Sequence, residues 1–172
     1  MGNVVRRGRP NRIIFEAIAK YAHNRKTLDI GCGNKAYSHV SINTTTLDGW
    51  DAVSPDFLIN LENEDLPFEN NEFECVLMID LIEHLTRKRG EQILEQAKQI
   101  ASGRIYLLTP LWWDTNENHT SDPKCWAYGN ELNLHRSLWK REDFLDWTEI
   151  RPRIQGGKYY FGYWKNKCNS QI

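Results

Sequence analysis

The sequence predicts an α/β domain. Apolar runs of strand length, such as TLDI at 27–30 and RIYLL at 104–108, alternate with segments of helical periodicity at 11–22 and 87–101. The first of these strands runs directly into the glycine turn GCG, which is typical of a strand end that approaches a ligand. Alternation of this kind indicates a sheet with helices packed on its faces.

The elements of the first half follow one another with short connections. The helix at 11–22 carries an apolar face and leads into the strand at 27–30. Thirteen residues, 34–46, separate Gly33 from Leu47 in the second predicted strand, TTTLD, which is close to the minimum for a parallel crossover. Any helix in that crossover must be short. Further strands are predicted around 57–60 and at 76–80, where LIEHL follows as the start of a helix.

The second half begins with a helix at 87–101, which we expect Gly103 to stop. RIYLL then forms a central strand, with Pro110 just past its end. The runs EIRPRI and KYYFGYW predict a closing hairpin. Gly156 and Gly157 would join its two strands, because paired glycines readily take the positive φ angles of a tight turn.

Composition indicates one globular domain, 1–172, because a chain of this length holds a single hydrophobic core. A hydrophobic content of 40% excludes a disordered chain, and a net charge of −1 offers no overall field that would attract nucleic acid. The basic run RRGRPNR at 6–12 is a local exception, which could contact phosphates or form a solvated arm. No apolar run is long enough for a signal peptide or a membrane span, so we expect a soluble protein without a membrane partner.

The cysteines favour a reducing compartment. They occur singly, without the paired spacing of a zinc site or of a disulfide framework. We therefore expect a cytoplasmic protein. The four residues are Cys32, Cys75, Cys125 and Cys168.

The segment TLDIGCGN at 27–34 carries the strongest functional signal. Gly31 and Gly33 tolerate positive φ and lack a Cβ, so the chain can bend tightly beneath a ligand while the next helix directs amide groups at it. A dinucleotide-binding turn would have a third glycine where Ala36 stands. Asp29 would repel a phosphate, but it could orient the turn and interact, directly or through water, with a cationic amino-acid ligand. The pattern argues against a pyrophosphate.

Asp48 ends the run TTTLD, fifteen residues after Gly33. Ribose-binding folds place near this position a carboxylate that accepts hydrogen bonds from two sugar hydroxyls. The alternative is a turn aspartate before Gly49, since Asp-Gly is a common turn pair. Together with the glycine turn, the position favours a ribose contact.

These features resemble the motifs of class I S-adenosylmethionine (SAM)-dependent methyltransferases, of the methyltransferase type 11 kind. The resemblance continues through ENEDLPFENNEFECVLMIDLIEHL and RIYLLTP and covers roughly residues 11–110. It implies a Rossmann-like, mostly parallel seven-stranded sheet with an antiparallel C-terminal hairpin and helices on both faces. It also implies SAM as the cofactor and methyl transfer as the reaction.

The resemblance also implies which residues contact the cofactor. Asn60 and Leu61 match the position that usually carries an aspartate bonded to the adenine amino group, and an asparagine can accept that bond through its amide oxygen. The loop and strand at 65–73 would flank the adenine. Asp80 falls at the carboxyl end of the fourth strand, where open α/β sheets collect ligands. The cofactor-binding residues so implied are Asp29, Gly31, Cys32, Gly33, Asp48, Asn60, Leu61, Asp80 and Leu81.

Residues 111–147 are the least family-like part and are expected to form a substrate-side insertion. The segment is rich in aromatic residues, which could build a stacking pocket or cover the sheet. Trp112 and Trp113 are favoured as substrate-binding residues because they directly follow the strand end. Nearby, LWKREDF predicts a helix start that packs Phe144 and Leu145 inward. The other large aromatic residues of the segment are Trp126, Tyr128, Trp139 and Trp147.

Methyl transfer requires the nucleophile, the methyl carbon and the sulfur to be held in line, and a proton to be removed where the acceptor needs it. His119 and His135 are the candidate bases, with Asp114 as the alternative. A structural histidine bonded to backbone is the other interpretation of each. The resemblance implies that the pair Glu83-His84 is mostly architectural and packs near the methionine side of the cofactor, with catalysis by His84 as the alternative.

No metal site is predicted. His119, Asp122 and His135 could bind a divalent ion, but their spacing matches no compact metal-binding motif.

The range of methyl acceptors is narrowed by two motifs that the sequence lacks. One is the Asn/Asp-Pro-Pro-aromatic motif of enzymes that methylate exocyclic amino groups of bases, and the other is the Pro-Cys nucleophile of enzymes that methylate carbon 5 of cytosine. We expect a small-molecule or glycan acceptor, with a protein side chain still open.

Two other functions remain open. One is a nicotinamide-dependent oxidoreductase, against which the missing third glycine counts. The other is a SAM-binding partner subunit that has lost turnover. The short first crossover and Asn60 keep that alternative open.

Overall fold

The computed structural model describes residues 8–150 and 155–167, which form a seven-stranded mixed sheet. The order across the sheet is β3-β2-β1-β4-β5-β7-β6. Strands β1 to β5 are parallel, and β7 runs antiparallel to both β5 and β6. The predicted mostly parallel sheet with an antiparallel C-terminal hairpin is confirmed. The strands are β1 (Thr27–Ile30), β2 (Thr44–Asp48), β3 (Phe57–Leu58), β4 (Phe73–Ile79), β5 (Ala101–Pro110), β6 (Thr148–Glu149) and β7 (Tyr159–Lys165).

Helix α1 (Arg12–Ala22) covers one face of the sheet. Asn11 caps it, since the side-chain oxygen accepts the backbone N–H groups of Ile13 at 3.0 Å and Ile14 at 3.4 Å. Ile14 and Ile18 are fully buried against the sheet. The strand residues of this core are Cys75, Leu77, Ile79, Tyr106, Leu108 and Phe161.

Helix α2 (Arg87–Ile100) covers the opposite face, where it buries Ile93 and Ala97. Consecutive side chains of β4 and β5 point to opposite sides of the sheet, so each strand is buried on both faces and reads as a continuous apolar run. The prediction of helices on both faces is confirmed. The strand residues of this second core are Leu28, Ile30, Leu47, Phe73, Val76, Met78, Ala101, Ile105, Leu107 and Tyr160.

The connections beyond the strand ends are shorter and less helical than expected. A single turn of 3₁₀ helix, Ser38–Val40, stands in the first crossover, so no α-helix follows the glycine turn. Strand β3 has only two residues instead of the four predicted at 57–60. LIEHL forms another 3₁₀ turn, Ile82–His84, and α2 begins after it.

Gly103 does not stop the helix as expected. Helix α2 ends at Ile100 and β5 begins with the next residue, so Gly103 lies inside the strand and Pro110 is the strand's last residue. A Cβ at position 103 would overlap the backbone carbonyl oxygen of Glu74 and the hydroxyl of Tyr21. The glycine allows two backbones to approach closely, which is another established use of this residue.

The predicted inward packing of Leu145 in the C-terminal third is wrong. Arg141–Phe144 forms a 3₁₀ turn in which Phe144 is buried, as predicted, but Leu145 is 87% exposed. Gly156 and Gly157 have φ angles of 67° and 82°, as expected for the hairpin connection.

In the part of the chain that the structure describes, no helix combines the length and apolar character needed to cross a membrane. Arg6, Arg7, Cys168 and the predicted strand residues 151–154 lie outside the described residues.

Replacing Gly103 by alanine tests the close approach. We expect Gly103→Ala to lower the free energy of unfolding by about 1–3 kcal/mol, because the backbone of Glu74 cannot move aside as a flexible side chain would. Urea denaturation would measure the loss. Lys165→Ala, an exposed change in the neighbouring strand, should stay within about 0.5 kcal/mol of the parent. Equal stability of Gly103→Ala and the parent would contradict this interpretation.

Candidate functional site

The carboxyl ends of β1, β2, β4 and β5 open into one cavity of about 570 Å³. Gly31, Asp48, Asp80 and Pro110, which end or directly follow these strands, all line it. The volume is typical of a small-molecule site. Open α/β sheets bind their ligands at this edge.

Most residues predicted for the site line this cavity, but two do not. Asp29 is 3% exposed and lies behind the lining, and Trp113 is 52% exposed on the surface. The cofactor, acceptor and base roles of the others stay predictions. Those that line the cavity are Gly31, Cys32, Gly33, Asp48, Asn60, Leu61, Asp80, Leu81, Trp112, Asp114, His119 and His135.

Both glycines of the turn are required by geometry. Gly31 has a φ of 69° and Gly33 a φ of 48°, in the left-handed region that other residues adopt with strain. A Cβ on Gly31 would lie 2.6 Å from Cδ1 of Leu81, and one on Gly33 would lie 2.9 Å from the ring of Trp126. The turn therefore has no room for a side chain at either position.

The backbone amides of the turn are already hydrogen-bonded within the protein. The N–H groups of Gly31 and Cys32 donate to the carbonyl of Leu47 at 2.8 Å and 3.0 Å. The N–H of Gly33 donates to Oδ2 of Asp48 at 2.8 Å. The expectation that a following helix directs amide groups at the ligand is wrong, because no α-helix follows and these donors are taken. The turn is poorly suited to binding a phosphate.

Asp48 is fixed by two backbone hydrogen bonds. Oδ2 accepts the N–H of Gly33, and Oδ1 accepts the N–H of Trp50 at 2.9 Å. Burial raises the pKa of Asp48, and these hydrogen bonds oppose the rise. Each carboxylate oxygen keeps a second lone pair. Asp48 therefore presents rigid hydrogen-bond acceptors to the cavity.

Asp29 supports the turn from behind. Its Oδ2 accepts the hydroxyl of Ser38 at 2.6 Å, and burial raises its pKa to about 6. Because the carboxylate does not line the cavity, a direct contact with a ligand has no support in the structure. The role of orienting the turn fits its position.

The predicted adenine side is only partly assembled at the cavity. Oδ1 of Asn60 already accepts the N–H of Glu62 at 3.1 Å, so an adenine amino group would have to share that oxygen. The segment 65–73 does not line the cavity. Instead, Asp65 forms an ion pair with Arg89 at 2.9 Å.

Two acids that follow β4 share the cavity. Glu83 is 2% exposed and its Oε2 accepts the hydroxyl of Thr109 at 3.0 Å. Burial raises the pKa of Glu83, and the nearby charge of Asp80 raises it further. Negative charge on the buried Glu83 is therefore costly without a compensating partner. Asp80, by contrast, is exposed to the solvent of the cavity.

The three histidines at the cavity occupy two different places. The rings of His84 and His135 meet edge to face, with centroids 4.8 Å apart. Burial lowers the pKa of His84 to about 4 and also lowers that of His135, so both are neutral at pH 7. His119 stands apart on an exposed helix, α3 (Glu117–Ser121). No local pattern in the chain indicates that His135 would contact His84.

The aromatic residues of 111–147 divide between pocket, core and surface. Trp112 and Trp126 line the cavity, whereas Trp139 and Trp147 belong to the hydrophobic core. Trp112 contacts Tyr159 edge to face at 4.8 Å. Trp126 is a pocket residue that the sequence did not single out, because only folding brings it beside Gly33. Tyr37, Arg136 and Tyr159 also line the cavity and were not singled out from the sequence, whereas Glu62, Glu83 and His84 line it without having been predicted as cofactor-binding or catalytic residues.

No protein-family model and no curated protein sequence matches the chain. Solved structures share its fold. A SAM-dependent methyltransferase from Archaeoglobus fulgidus has a TM-score of 0.58 at 12% identity, covering 90% of this chain and 93% of that one. Magnesium protoporphyrin IX methyltransferase from Synechocystis, solved with bound S-adenosylhomocysteine, has a TM-score of 0.60 at 10% identity, covering 95% and 91%. A putative zinc-dependent alcohol dehydrogenase from Rhodobacter sphaeroides has a TM-score of 0.63 at 12% identity, covering 94% and 93%.

Most of these similar structures are methyltransferases. At such identities the likeness concerns the fold. The chain has the Rossmann-like fold of class I SAM-dependent methyltransferases, with the strand order described above.

The pH dependence of stability tests the burial of Asp29. Folded Asp29 keeps its proton up to about pH 6, whereas an unfolded aspartate loses it near 3.8. The folded state therefore binds more protons in this window, and stability falls as pH rises through it. Asp29→Asn removes the titrating group, so the variant should not lose stability in this way. The free energy of unfolding of the variant minus that of the parent should therefore grow by up to about 3 kcal/mol between pH 4 and pH 7.

Urea denaturation across this pH range would measure the difference. Ser38→Ala is the matched variant, because it removes the hydroxyl that favours the charged carboxylate. Its stability should fall more steeply with pH than that of the parent. A stability difference between Asp29→Asn and the parent that does not change with pH would contradict the assignment.

Proposed function

We propose that this chain is a SAM-dependent methyltransferase that acts on a small-molecule or glycan acceptor. The observation that carries the proposal is the glycine turn bound to Asp48 at the mouth of the cavity. The turn leaves close backbone access but no phosphate-binding amides. Asp48 supplies fixed acceptors beside it.

The lining residues fit the parts of SAM. Asp48 would accept the two ribose hydroxyls, and Gly31 and Gly33 would let the cofactor lie against the backbone. Ile59 and Leu61 give an apolar wall for the adenine. The lining has several carboxylates, which suit a cationic ligand and disfavour a pyrophosphate. Methyltransferases of the same fold, some of them solved with S-adenosylhomocysteine, support this assignment.

Residues 111–147 would form the acceptor side of the single domain. The segment contributes Trp112, Asp114, His119 and Trp126, among others, to the lining of the cavity. When bound, SAM supplies a methyl carbon made electrophilic by its sulfonium sulfur. Trp112 and Trp126 would exclude water and orient the acceptor, since an indole offers a large rigid face.

Proton removal is assigned to a group at the open side of the cavity. His119 is exposed and lines the cavity, so it can reach both the acceptor and solvent. Asp114 is the alternative, although its Oδ1 already accepts the N–H of Asn116 at 2.9 Å. His135 is less suited to this role because its ring packs against His84.

The three described cysteines are free, which supports the proposal of a reducing, cytoplasmic location.

Ligand-dependent melting tests the cofactor. SAM and S-adenosylhomocysteine should raise the melting temperature, because each binds the folded state. At a ligand concentration 100 times the dissociation constant, the folded state should gain about 2.7 kcal/mol of stability. NADH should not raise the melting temperature. Gly31→Val should abolish the response, because its side chain would enter the space of Leu81 and strain a φ of 69°.

Gly156→Val is the matched control for this substitution. Gly156 also has a positive φ, 67°, but a Cβ there meets nothing within 4 Å. This variant should keep its response to S-adenosylhomocysteine. A shift with NADH and none with either SAM compound would favour an oxidoreductase. Binding of SAM without methyl transfer to any acceptor class would favour a partner subunit.

Turnover with an identified acceptor tests the proton acceptor. His119→Ala should lower kcat by about 10²–10⁴-fold, the usual contribution of a general base, with little change in affinity for S-adenosylhomocysteine. His23→Ala, on the exposed end of α1, should leave kcat unchanged. If both His119→Ala and Asp114→Ala keep full turnover, the proton passes to water or to another group and the assignment fails.

A further inference from the structure

We propose that Glu83, His84 and His135 form a binding site for a divalent cation beside the cofactor pocket. Each side chain offers one ligand atom, and the three atoms lie within 4.8 Å of one another. All three residues also line the cavity. The cation would hold oxygen atoms of the acceptor, an extension that rests on the proposed methyltransferase function.

Backbone hydrogen bonds create this cluster. Glu83 and His84 belong to the 3₁₀ turn after β4, whereas His135 comes from the distant segment 111–147. The carbonyl of Glu83 accepts the N–H of Arg136 at 2.7 Å and of Ser137 at 3.1 Å. The residue next to His135 is thus tied directly to Glu83, and the three side chains meet at a fixed point of the fold.

Each of the three side chains is also oriented by a further hydrogen bond. The hydroxyl of Thr109 donates to one oxygen of Glu83 at 3.0 Å. Nδ1 of His84 lies 3.3 Å from the carbonyl of Leu134, and the backbone of Asp114 hydrogen-bonds the ring of His135. A histidine that donates one ring N–H to a carbonyl keeps the lone pair of its other nitrogen. Metal-binding histidines are held in this way.

The cavity beside the cluster also lacks a counter-charge for its acids. Within residues 8–150 and 155–167, no basic nitrogen lies within 4.0 Å of a carboxylate oxygen of Asp80 or Glu83. Buried charges in proteins are paired with opposite charges or bind metal ions. A cation at the cluster would compensate the buried carboxylate of Glu83.

The ligand set indicates the kind of cation. Two imidazoles and one carboxylate suit Zn²⁺, Co²⁺, Fe²⁺ or Mn²⁺ better than Ca²⁺ or Mg²⁺. Bonds of about 2.0–2.2 Å require the ligand atoms to draw closer together than 4.8 Å, so cation binding would require the side chains to rotate. Three protein ligands leave at least one coordination position open. Because the cluster lines the cavity, that position faces the space for the acceptor.

A cation with three protein ligands that expands to five-coordination has two positions free. Such a site favours an acceptor with a hydroxyl next to a second oxygen, as in a vicinal diol or a catechol. Coordination lowers the pKa of the hydroxyl. In the transfer, the oxygen–carbon bond forms while the carbon–sulfur bond breaks, and the bonding electrons stay on sulfur. The hydroxyl proton passes to His119 or to water. In this proposal His135 binds the cation and is not the general base that the sequence predicts. The other cation ligands are Glu83 and His84, not the His119 and Asp122 considered from the sequence.

Cobalt titration of the full chain tests the site without any turnover. Co²⁺ should bind with one-to-one stoichiometry and give visible d–d absorption bands. Glu83→Gln and His135→Ala should each weaken cobalt binding at least about tenfold, since even indirect supports of a metal site cost that much. His135 is only partly buried, so His135→Ala should fold even if Glu83→Gln does not. His23→Ala, an exposed histidine far along the chain, should bind cobalt as the parent does.

Two further measurements separate this proposal from the proposed function. S-adenosylhomocysteine should bind His135→Ala as tightly as it binds the parent, so loss of cobalt with retained S-adenosylhomocysteine binding supports a separate cation site. Catechol, added in amounts that leave cobalt on the protein, should change the absorption bands, whereas phenol should not. Absence of cobalt binding, or equal binding by the parent, Glu83→Gln and His135→Ala, would overturn the site. Bands that catechol does not change would overturn the assignment of the acceptor class.

Discussion

The structure depends on the hydrogen bonds that tie the glycine turn to the end of β2. The carbonyl of Leu47 and the carboxylate of Asp48 accept the three successive N–H groups of residues 31–33. This arrangement fixes two strand ends relative to each other and sets the left-handed φ angles of both glycines. It also removes the donors that a phosphate would need. The same bonds therefore define the shape of the cavity and restrict the chemistry of its ligand.

A second set of backbone bonds joins residues 111–147 to the sheet. The carbonyl of Glu83 receives two N–H groups from residues 136 and 137, and Arg87 holds Asp143 with a bidentate ion pair at 2.7 Å and 2.9 Å. The ring of Trp139 lies under the guanidinium of Arg87 at 3.9 Å. These contacts place the aromatic and histidine side chains of the segment over the strand ends. A region with little regular secondary structure thereby supplies one wall of the site.

The sequence predicted those parts of the fold and site that depend on local patterns. The apolar runs, the helix periodicity and the glycine turn indicated the sheet, both long helices and the position of Asp48. Features set by packing were not predictable in this way. Gly103 has the same local signature as a helix stop, but it serves a close approach to Glu74 in the neighbouring strand. Asp29 reads as a ligand contact until the fold turns it toward Ser38.

Contacts between distant segments were the hardest to foresee. Trp126 reaches Gly33, and His135 reaches His84, only because 111–147 folds back over the strand ends. No spacing in the chain encodes either meeting. Residues 111–147 contribute to the cavity lining, yet Trp113 is on the surface while Trp126 lines the cavity.

A crystal structure with S-adenosylhomocysteine would show whether the cavity binds the cofactor through Asp48 and the glycine turn. Both ribose hydroxyls should lie within about 3.2 Å of the Asp48 carboxylate, with the adenosyl group against the glycine turn. The sulfur should face the cavity wall formed by Trp112 and His119. A ligand bound elsewhere, or one whose ribose does not contact Asp48, would contradict this prediction.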